Sequence, residues 1–396
     1  MNEVNRARWK LLGGIFIVII LIHVIAVSCI VASHHPPVDS AAAASSEESS
    51  REVASKEPEK APEEEKKSGG FWSWLFGGGG EEESASAAQS GGSRQAAVQK
   101  RDWRYKKPST DPQFGTPFHF EYAKRGDFSA REIPGSSGAK SGIMIDLSTR
   151  NVLWEKNSTK PVPIASMVKM MTLYTAFEEL EENPKFSLDS PVKISPEVLK
   201  VPRTGIIWLD PRETFPLSDL MKAAAIKSAN DAAVQIAMFL GDGSQEAFVA
   251  KMNAKALELG MTSSNFVSAC GLPDRKKGNS VSTAQDLMIL AEHLLQYPQY
   301  LEWSSTRLDY IREGKKRTML NTTNRLVNAR YPGVDGLKTG YTDDAGYCLT
   351  FSVLRNGRRI IGCVTGFDSA SKGRDSFCQK LIEWGYKRAA ELEQKK

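Results

Sequence analysis

Ser-x-x-Lys strings in this chain include Ser137/Lys140, Ser166/Lys169 and Ser190/Lys193. A lysine three residues after a serine on a helix shares its face, so its amine can act as the serine's base. Only Ser166 opens a good helix start, Met167-Val-Lys-Met-Met-Thr-Leu-Tyr. Ser137 lies between Gly135 and Gly138 ahead of a strand, and Ser190 is followed by Pro191 and Pro196, which oppose a helix. A helix N-terminus at Ser166 would also favour a developing oxyanion.

Two further strings carry chemistry in the same chain order. Ser228-Ala-Asn230 sits between two expected helices, 218–226 and 231–240, where a connection can present two polar side chains to a cleft. Ser263-Ser264-Asn265 runs into Phe266-Val267 and reads as loop or strand. Lys-Ser/Thr-Gly occurs at Lys67, Lys140 and Lys338, but only Lys338-Thr339-Gly340 follows both other motifs and enters a strand. Glycine at Gly340 would let a ligand backbone approach that strand closely. Each string alone is weak; their order, each on its expected element, is specific.

The rival chemistries lack their residues. Beyond residue 100 the histidines are His119 and His293, and neither G-x-S-x-G nor H-E-x-x-H occurs, which argues against a Ser-His-Asp hydrolase and a zinc peptidase. The five cysteines contain no C-x-x-C, so no zinc site is indicated, and Cys348 and Cys363 in apolar runs read as small buried hydrophobes. The first 32 residues carry +2 and residues 33–100 carry −5, so residues 101–396 must carry +8 to give the net +5. A basic body suits an anionic partner such as a wall polymer or a carboxylate ligand. No basic strip interleaved with aromatics supports nucleic acid.

The elements that must position these residues follow from pattern. Residues 141–146 and 152–155 read as two strands around a turn at 148–151. Helix is expected at 166–180. Ser244 caps a helix that stops at Gly260, and Thr283-Ala-Gln-Asp286 resembles a capping box. Residues 346–354 and 359–364 flank Asn356-Gly357, a hairpin signal, and a last helix is expected at 375–393. Strands at both ends around a helical insertion predict an α+β domain: an antiparallel sheet formed by both ends of the catalytic domain, with flanking helices and a helical inserted subdomain. No internal repeat is present.

Ahead of this domain, Leu11–Ala32 form an apolar run interrupted by Gly13, Gly14, His23 and Ser28, long enough to span a bilayer. Arg6, Arg8 and Lys10 precede it, so residues beyond 33 should be exported. The expected organisation is a cytoplasmic N-terminus at 1–10, a transmembrane anchor at 11–32, a low-complexity stalk at 33–107 and a catalytic domain at 108–396 with its core at about 135–388. A cleaved signal peptide, or lipoprotein processing at Ala26-Val27-Ser28-Cys29, is the alternative. Phe71-Trp-Ser-Trp-Leu-Phe76 is an aromatic patch in an otherwise polar stalk, either a sticky linker segment or a docking element.

Pro163-Ile-Ala-Ser-Met-Val-Lys-Met-Met-Thr, Lys227-Ser-Ala-Asn-Asp-Ala, Asn321-Thr-Thr-Asn-Arg-Leu and Gly333-Val-Asp-Gly-Leu-Lys-Thr-Gly-Tyr-Thr-Asp-Asp-Ala-Gly-Tyr together resemble the serine D-Ala-D-Ala carboxypeptidases, the low-molecular-mass penicillin-binding proteins. The resemblance implies a β-lactamase/transpeptidase-like fold acting on peptidoglycan stem peptides and acylated by β-lactam antibiotics, without metal or organic cofactor. It implies Ser166 as nucleophile, Lys169 as base, Ser228 as proton carrier and Asn230 as holder of the substrate amide. Lys338 and Thr339 would bind the terminal carboxylate, with Gly340 and Tyr341 completing the substrate strand and the N–H groups of Ser166 and Tyr341 forming the oxyanion hole. Tyr341 stands where some members have histidine, and the chain stops soon after its last expected helix where better-known members continue into a β-rich domain. The implied location is a bacterial membrane, single-pass, with the catalytic domain outside the cytoplasm. The motifs do not separate this activity from an endopeptidase on the same fold. A β-lactamase is disfavoured because no Glu two residues before Leu-Asn follows Asn230; a catalytically silent wall binder is disfavoured because nucleophile, base and Lys-Thr-Gly are all present.

Overall fold

The computed structural model describes residues 133–394, together with the backbone of Ala123–Lys124, which forms a two-residue strand β1. The expected anchor, the stalk and the aromatic patch lie outside the described residues. Among the described residues no helix is long and apolar enough to cross a membrane.

Strands β2 (Ser141–Asp146) and β3 (Asn151–Lys156) pair antiparallel. The Asp146 carboxylate closes their turn, accepting from the Ser148 N–H at 3.0 Å and the Thr149 hydroxyl at 2.8 Å. The chain then leaves the sheet through β4 (Val162–Pro163), α1 (Val168–Glu182), β5 (Pro191–Lys193) and β6 (Thr214–Pro216). Helices α2 (Leu217–Ile226), α3 (Asn230–Leu240) and α4 (Gln245–Glu258) follow, then β7 (Val281–Ser282), α5 (Ala284–Leu294) and α6 (Pro298–Ser305). A small hairpin, β8 (Leu308–Ile311) and β9 (Thr318–Asn321), and the single turn α7 (Arg325–Asn328) lead back to the sheet. There β10 (Val334–Thr342), β11 (Gly346–Arg355) and β12 (Arg358–Phe367) form a meander, and α8 (Ser376–Gln394) closes the chain.

The sheet order is β1-β3-β2-β12-β11-β10. Strands from both ends of the domain therefore meet at the β2–β12 pair, with Cys363 opposite Ile143. The expected α+β arrangement is present; the one departure is β1, which joins the edge parallel to β3. Successive side chains of a strand face opposite ways, so Ile143 and Ile145 join the core under the helical insertion. Met144 joins the core under α8, with Trp154, Phe351 and Phe377.

Helix α1 runs through the core of the described domain. Every residue from Val168 to Phe177 is buried, the polar Lys169, Thr172 and Thr175 among them, so the helix has no solvent-facing stripe over this stretch. Side-chain caps begin α4 and α5 where pattern predicted: Ser244 accepts from the Ala247 N–H at 3.1 Å and Thr283 from the Asp286 N–H at 3.0 Å. Cys348 and Cys363 are buried and free, and burial pushes the Cys348 thiol up to about 11. His293 is buried in α5, edge-on to the Tyr174 ring at 5.7 Å.

Candidate active site

Ser166 does not begin the α-helix, as its sequence context suggested. It lies in a tight turn, Ala165–Met167, that precedes α1. Ala165 takes φ 48, a left-handed conformation that costs a non-glycine residue on the order of 1–3 kcal/mol and persists only where its surroundings enforce it. Two glycines enforce it. A Cβ on Gly340 would stand 2.7 Å from the Ile164 carbonyl oxygen, and one on Gly271 only 2.1 Å from that of Ala165. The Gly340 backbone thus presses on the nucleophile turn as well as lining the cleft.

Lys169, one helical turn on, is fully buried. Its Nζ stands 3.0 Å from Ser166 Oγ, 2.7 Å from Asn230 Oδ1 and 2.6 Å from the Cys270 carbonyl oxygen. Burial brings its ammonium down to about 8, opposed by the nearby Cys270 thiol and the Asp231 carboxylate.

Ser228 occupies the corner between α2 and α3, again with a left-handed φ of 60. Lys338 Nζ donates to Ser228 Oγ at 2.8 Å and to the Thr339 carbonyl at 3.1 Å. Lys338 is buried, and burial, with Lys169 and Arg374 nearby, holds it well below the ordinary lysine range. Asn230 begins α3; its Nδ2 donates to the Thr204 carbonyl at 2.8 Å, which leaves Oδ1 turned to Lys169. The next residue, Asp231, is buried and takes the N–H groups of Ile207 and Leu209 at 3.1 Å each. Burial pushes this carboxyl upward against those hydrogen bonds.

These groups surround a cleft of about 790 Å³ lined by Ser166, Ser228, Asn230, Thr339, Gly340 and Tyr341. Thr339 Oγ1 is 2.6 Å from Thr323 Oγ1, so the 321–325 segment steadies the strand end. Tyr341 is half exposed, stacked on Tyr347 at 4.2 Å, and donates to Asp343 at 2.9 Å. Arg325 and Arg374 also line the cleft. Arg374 is buried in the irregular turn before α8, donating to the Cys348 carbonyl at 3.1 Å and to Asp375 at 2.8 Å.

All eight motif residues therefore converge: Ser166, Lys169, Ser228, Asn230, Lys338, Thr339, Gly340 and Tyr341. The rejected strings lie apart in role. Ser264 bonds Asp286 at 2.7 Å, and Ser190 Oγ accepts from the Ser187 N–H at 2.8 Å. Sequence reasoning missed Cys270, Gly271, Asp231, Arg325 and Arg374. A backbone carbonyl such as that of Cys270 leaves no mark on residue type. Asp231 was readable, as an acid directly after Asn230 in an otherwise apolar helix.

The sequence profile of the D-alanyl-D-alanine carboxypeptidase family matches residues 128–369. The chain is 38% identical over 249 residues to D-alanyl-D-alanine carboxypeptidase DacF of Bacillus subtilis, covering 63% of this chain and 62% of that protein. It is 32% identical over 269 residues to DacA of Escherichia coli K12, covering 64% of this chain and 63% of that one. The chain thus spans less than two thirds of the length of these relatives. Among solved structures it is similar to penicillin-binding protein D2 of Listeria monocytogenes in its cefotaxime-bound form, with TM-score 0.55, 32% identity, and coverage of 63% of this chain and 97% of that one. With the fold, the three motifs and a profile match over most of its length, the chain belongs to the D-alanyl-D-alanine carboxypeptidase family.

Proposed function

We propose that this protein is a serine D-Ala-D-Ala carboxypeptidase that removes the terminal D-Ala from peptidoglycan stem peptides and is acylated by β-lactams. The observation that carries the reading is the hydrogen-bond accounting at Lys169. A neutral amine has two N–H bonds and one lone pair. The carbonyl oxygens of Asn230 and Cys270, 2.7 and 2.6 Å away, take the two N–H bonds, and the lone pair is left for the Ser166 hydroxyl at 3.0 Å. Burial already brings this lysine to about 8, where loss of its proton is within reach at neutral pH.

The steps follow. Lys169 takes the Ser166 proton while Oγ attacks the carbonyl carbon of the penultimate D-Ala. The oxyanion is held by the backbone N–H groups of Ser166 and Tyr341. As the tetrahedral centre collapses, the carbon–nitrogen bond breaks, and Ser228 gives its proton to the leaving amine while taking the proton that Lys169 received from Ser166, which returns Lys169 to the neutral amine. Lys338 supports Ser228 in that transfer through the 2.8 Å hydrogen bond. Water then enters, gives its proton to Lys169 as it attacks the ester carbonyl, and Lys169 passes that proton to Ser166 Oγ as the ester bond breaks and the shortened stem leaves. Asn230 holds the substrate amide. Thr339 meets the terminal carboxylate in a field made positive by Arg374 and Arg325 on the same cleft wall. The chemistry requires no metal or organic cofactor.

The placement we infer is a bacterial membrane tether at Leu11–Ala32, a stalk at 33–107 and the catalytic domain, 108–396, outside the cytoplasm. Arg6, Arg8 and Lys10 before the apolar run support it. Turnover of a soluble pentapeptide ending in D-Ala-D-Ala, followed by chromatography of free D-Ala, tests the reaction. D-Ala release that vanishes in Ser166→Ala supports it; cleavage confined to cross-linked dimers would make the enzyme an endopeptidase.

A further inference from the structure

The segment running from the cleft rim to β6 is clamped to display one side chain. Ile207 and Leu209 are 1% and 5% exposed, whereas Trp208 between them is 65% exposed. Their backbone is held from two sides. The Asp231 carboxylate takes the N–H groups of Ile207 and Leu209 at 3.1 Å. Arg312, itself fixed to Glu213 at 2.8 Å, donates to the Ile207 carbonyl at 3.0 Å and the Trp208 carbonyl at 3.1 Å. The clamp holds Trp208 at φ 58, a conformation costly for a bulky aromatic. Exposed Arg203 places its guanidinium 5.8 Å from the indole centroid. A buried carboxylate and an ion pair are thus committed to keeping a strained tryptophan in water beside a cation, which core packing does not require.

We infer that Trp208, with Arg203, is a sugar subsite for the glycan strand that carries the stem peptide. The inference rests on the carboxypeptidase reading for its choice of ligand. A pyranose ring offers a C–H face, weakly positive, that stacks on the negative face of an indole, while a guanidinium beside it bonds ring hydroxyls or an acidic substituent. Placement agrees with this. Thr204 and Gly205 line the cleft, and Asn230 holds them, its N–H donating to the Gly205 carbonyl at 2.7 Å. Trp208 follows three residues later, within roughly 11 Å of Gly205 along the chain. An extended stem of about four residues between the scissile bond and the sugar reaches roughly 14 Å. A stem seated in the cleft therefore delivers its sugar to the rim.

The test uses the full chain in detergent with three probes: stem-free glycan oligomers, a free pentapeptide, and the same pentapeptide on a disaccharide. Trp208→Ala should weaken oligomer binding in calorimetry about tenfold, the scale of one lost aromatic stack. It should raise KM for the disaccharide-borne peptide by a similar factor with kcat unchanged. Penicillin acylation and free-pentapeptide turnover should stay at wild-type rates, which also reports that the variant folds. Trp208→Phe should recover part of the loss, and Arg203→Ala should lose less than Trp208→Ala. Equal KM shifts on both peptides, or undiminished oligomer binding, overturns the subsite. So does a variant that loses binding to anionic lipid vesicles while keeping that to oligomers, since Trp208 would then be a membrane contact. Wild-type protein that binds oligomers through Trp208 but turns over neither peptide would instead defeat the carboxypeptidase reading.

Discussion

Gly271 packs so tightly on Ala165 that a Cβ at Gly271 would lie 2.1 Å from the Ala165 carbonyl oxygen and 3.0 Å from the Ser166 nitrogen. Gly271 also takes φ 81, so a side chain there is strained as well as obstructed. The contact joins the carbonyl that holds the base, on Cys270, to the turn that carries the nucleophile.

Gly271→Ala should therefore displace Ser166 relative to Lys169. Penicillin acylation should fall by about 10²-fold, the scale of an ångström-level misplacement of reacting groups. Stability should fall by more than about 1 kcal/mol, from strain and overpacking. Stopped-flow acylation and thermal melting measure the two. Acylation at the wild-type rate would mean that the turn does not depend on this contact.

The pH dependence follows from Lys169. Its folded value of about 8 lies below the ordinary 10.5, so acylation should lose about tenfold per pH unit below 8 and level off above it. The sign for stability is the same. Between about 8 and 10.5 the unfolded chain binds more protons at this residue, so its contribution to stability rises with pH. Lys169→Met should flatten that slope in pH-dependent denaturation. Lys169→Arg should abolish acylation, because a guanidinium does not release its proton. An acid limb near pH 5 would transfer the role of base to a carboxylate.

Asp231 favours the charged form of Lys169 and also anchors the Trp208 loop. Asp231→Asn should shift the acid limb of acylation to lower pH, since the opposing charge is gone. It should also destabilise the fold by about 1–3 kcal/mol, because an amide keeps one oxygen for the N–H groups of Ile207, Leu209 and Ala232, which the two carboxylate oxygens share. A limb that moves upward, or stays in place, would mean that this carboxylate does not act on Lys169.

Much of this architecture was legible beforehand because it rests on local chemistry. The Asn356-Gly357 hairpin, the Ser244 and Thr283 caps and the motif order each follow from residue type at a given spacing. The tight turn at Ser166 was not legible. Its conformation is imposed by Gly340 and Gly271, which lie far along the chain, and local propensity there favours a plain helix start. The depth of Lys338 was equally hidden. Its sequence reads as a cation available to a carboxylate, but it is buried against Ser228, while Arg374, in no motif, reaches the cleft. Backbone partners such as the Cys270 carbonyl depend on where a loop passes, not on what it contains.

The central claim is that Ser166 is the nucleophile and Lys169 its base. The most direct measurement is intact-mass and peptide-mass analysis of the full chain after exposure to labelled penicillin, alongside Ser166→Ala. The account predicts one penicilloyl adduct on the peptide containing Ser166, none in Ser166→Ala, and an adduct that persists for minutes because the opened drug keeps its leaving amine tethered to the ester, where it obstructs the water that Lys169 would activate. An adduct mapped to Ser137 or Ser190, or labelling that survives in a folded Ser166→Ala protein, would contradict it.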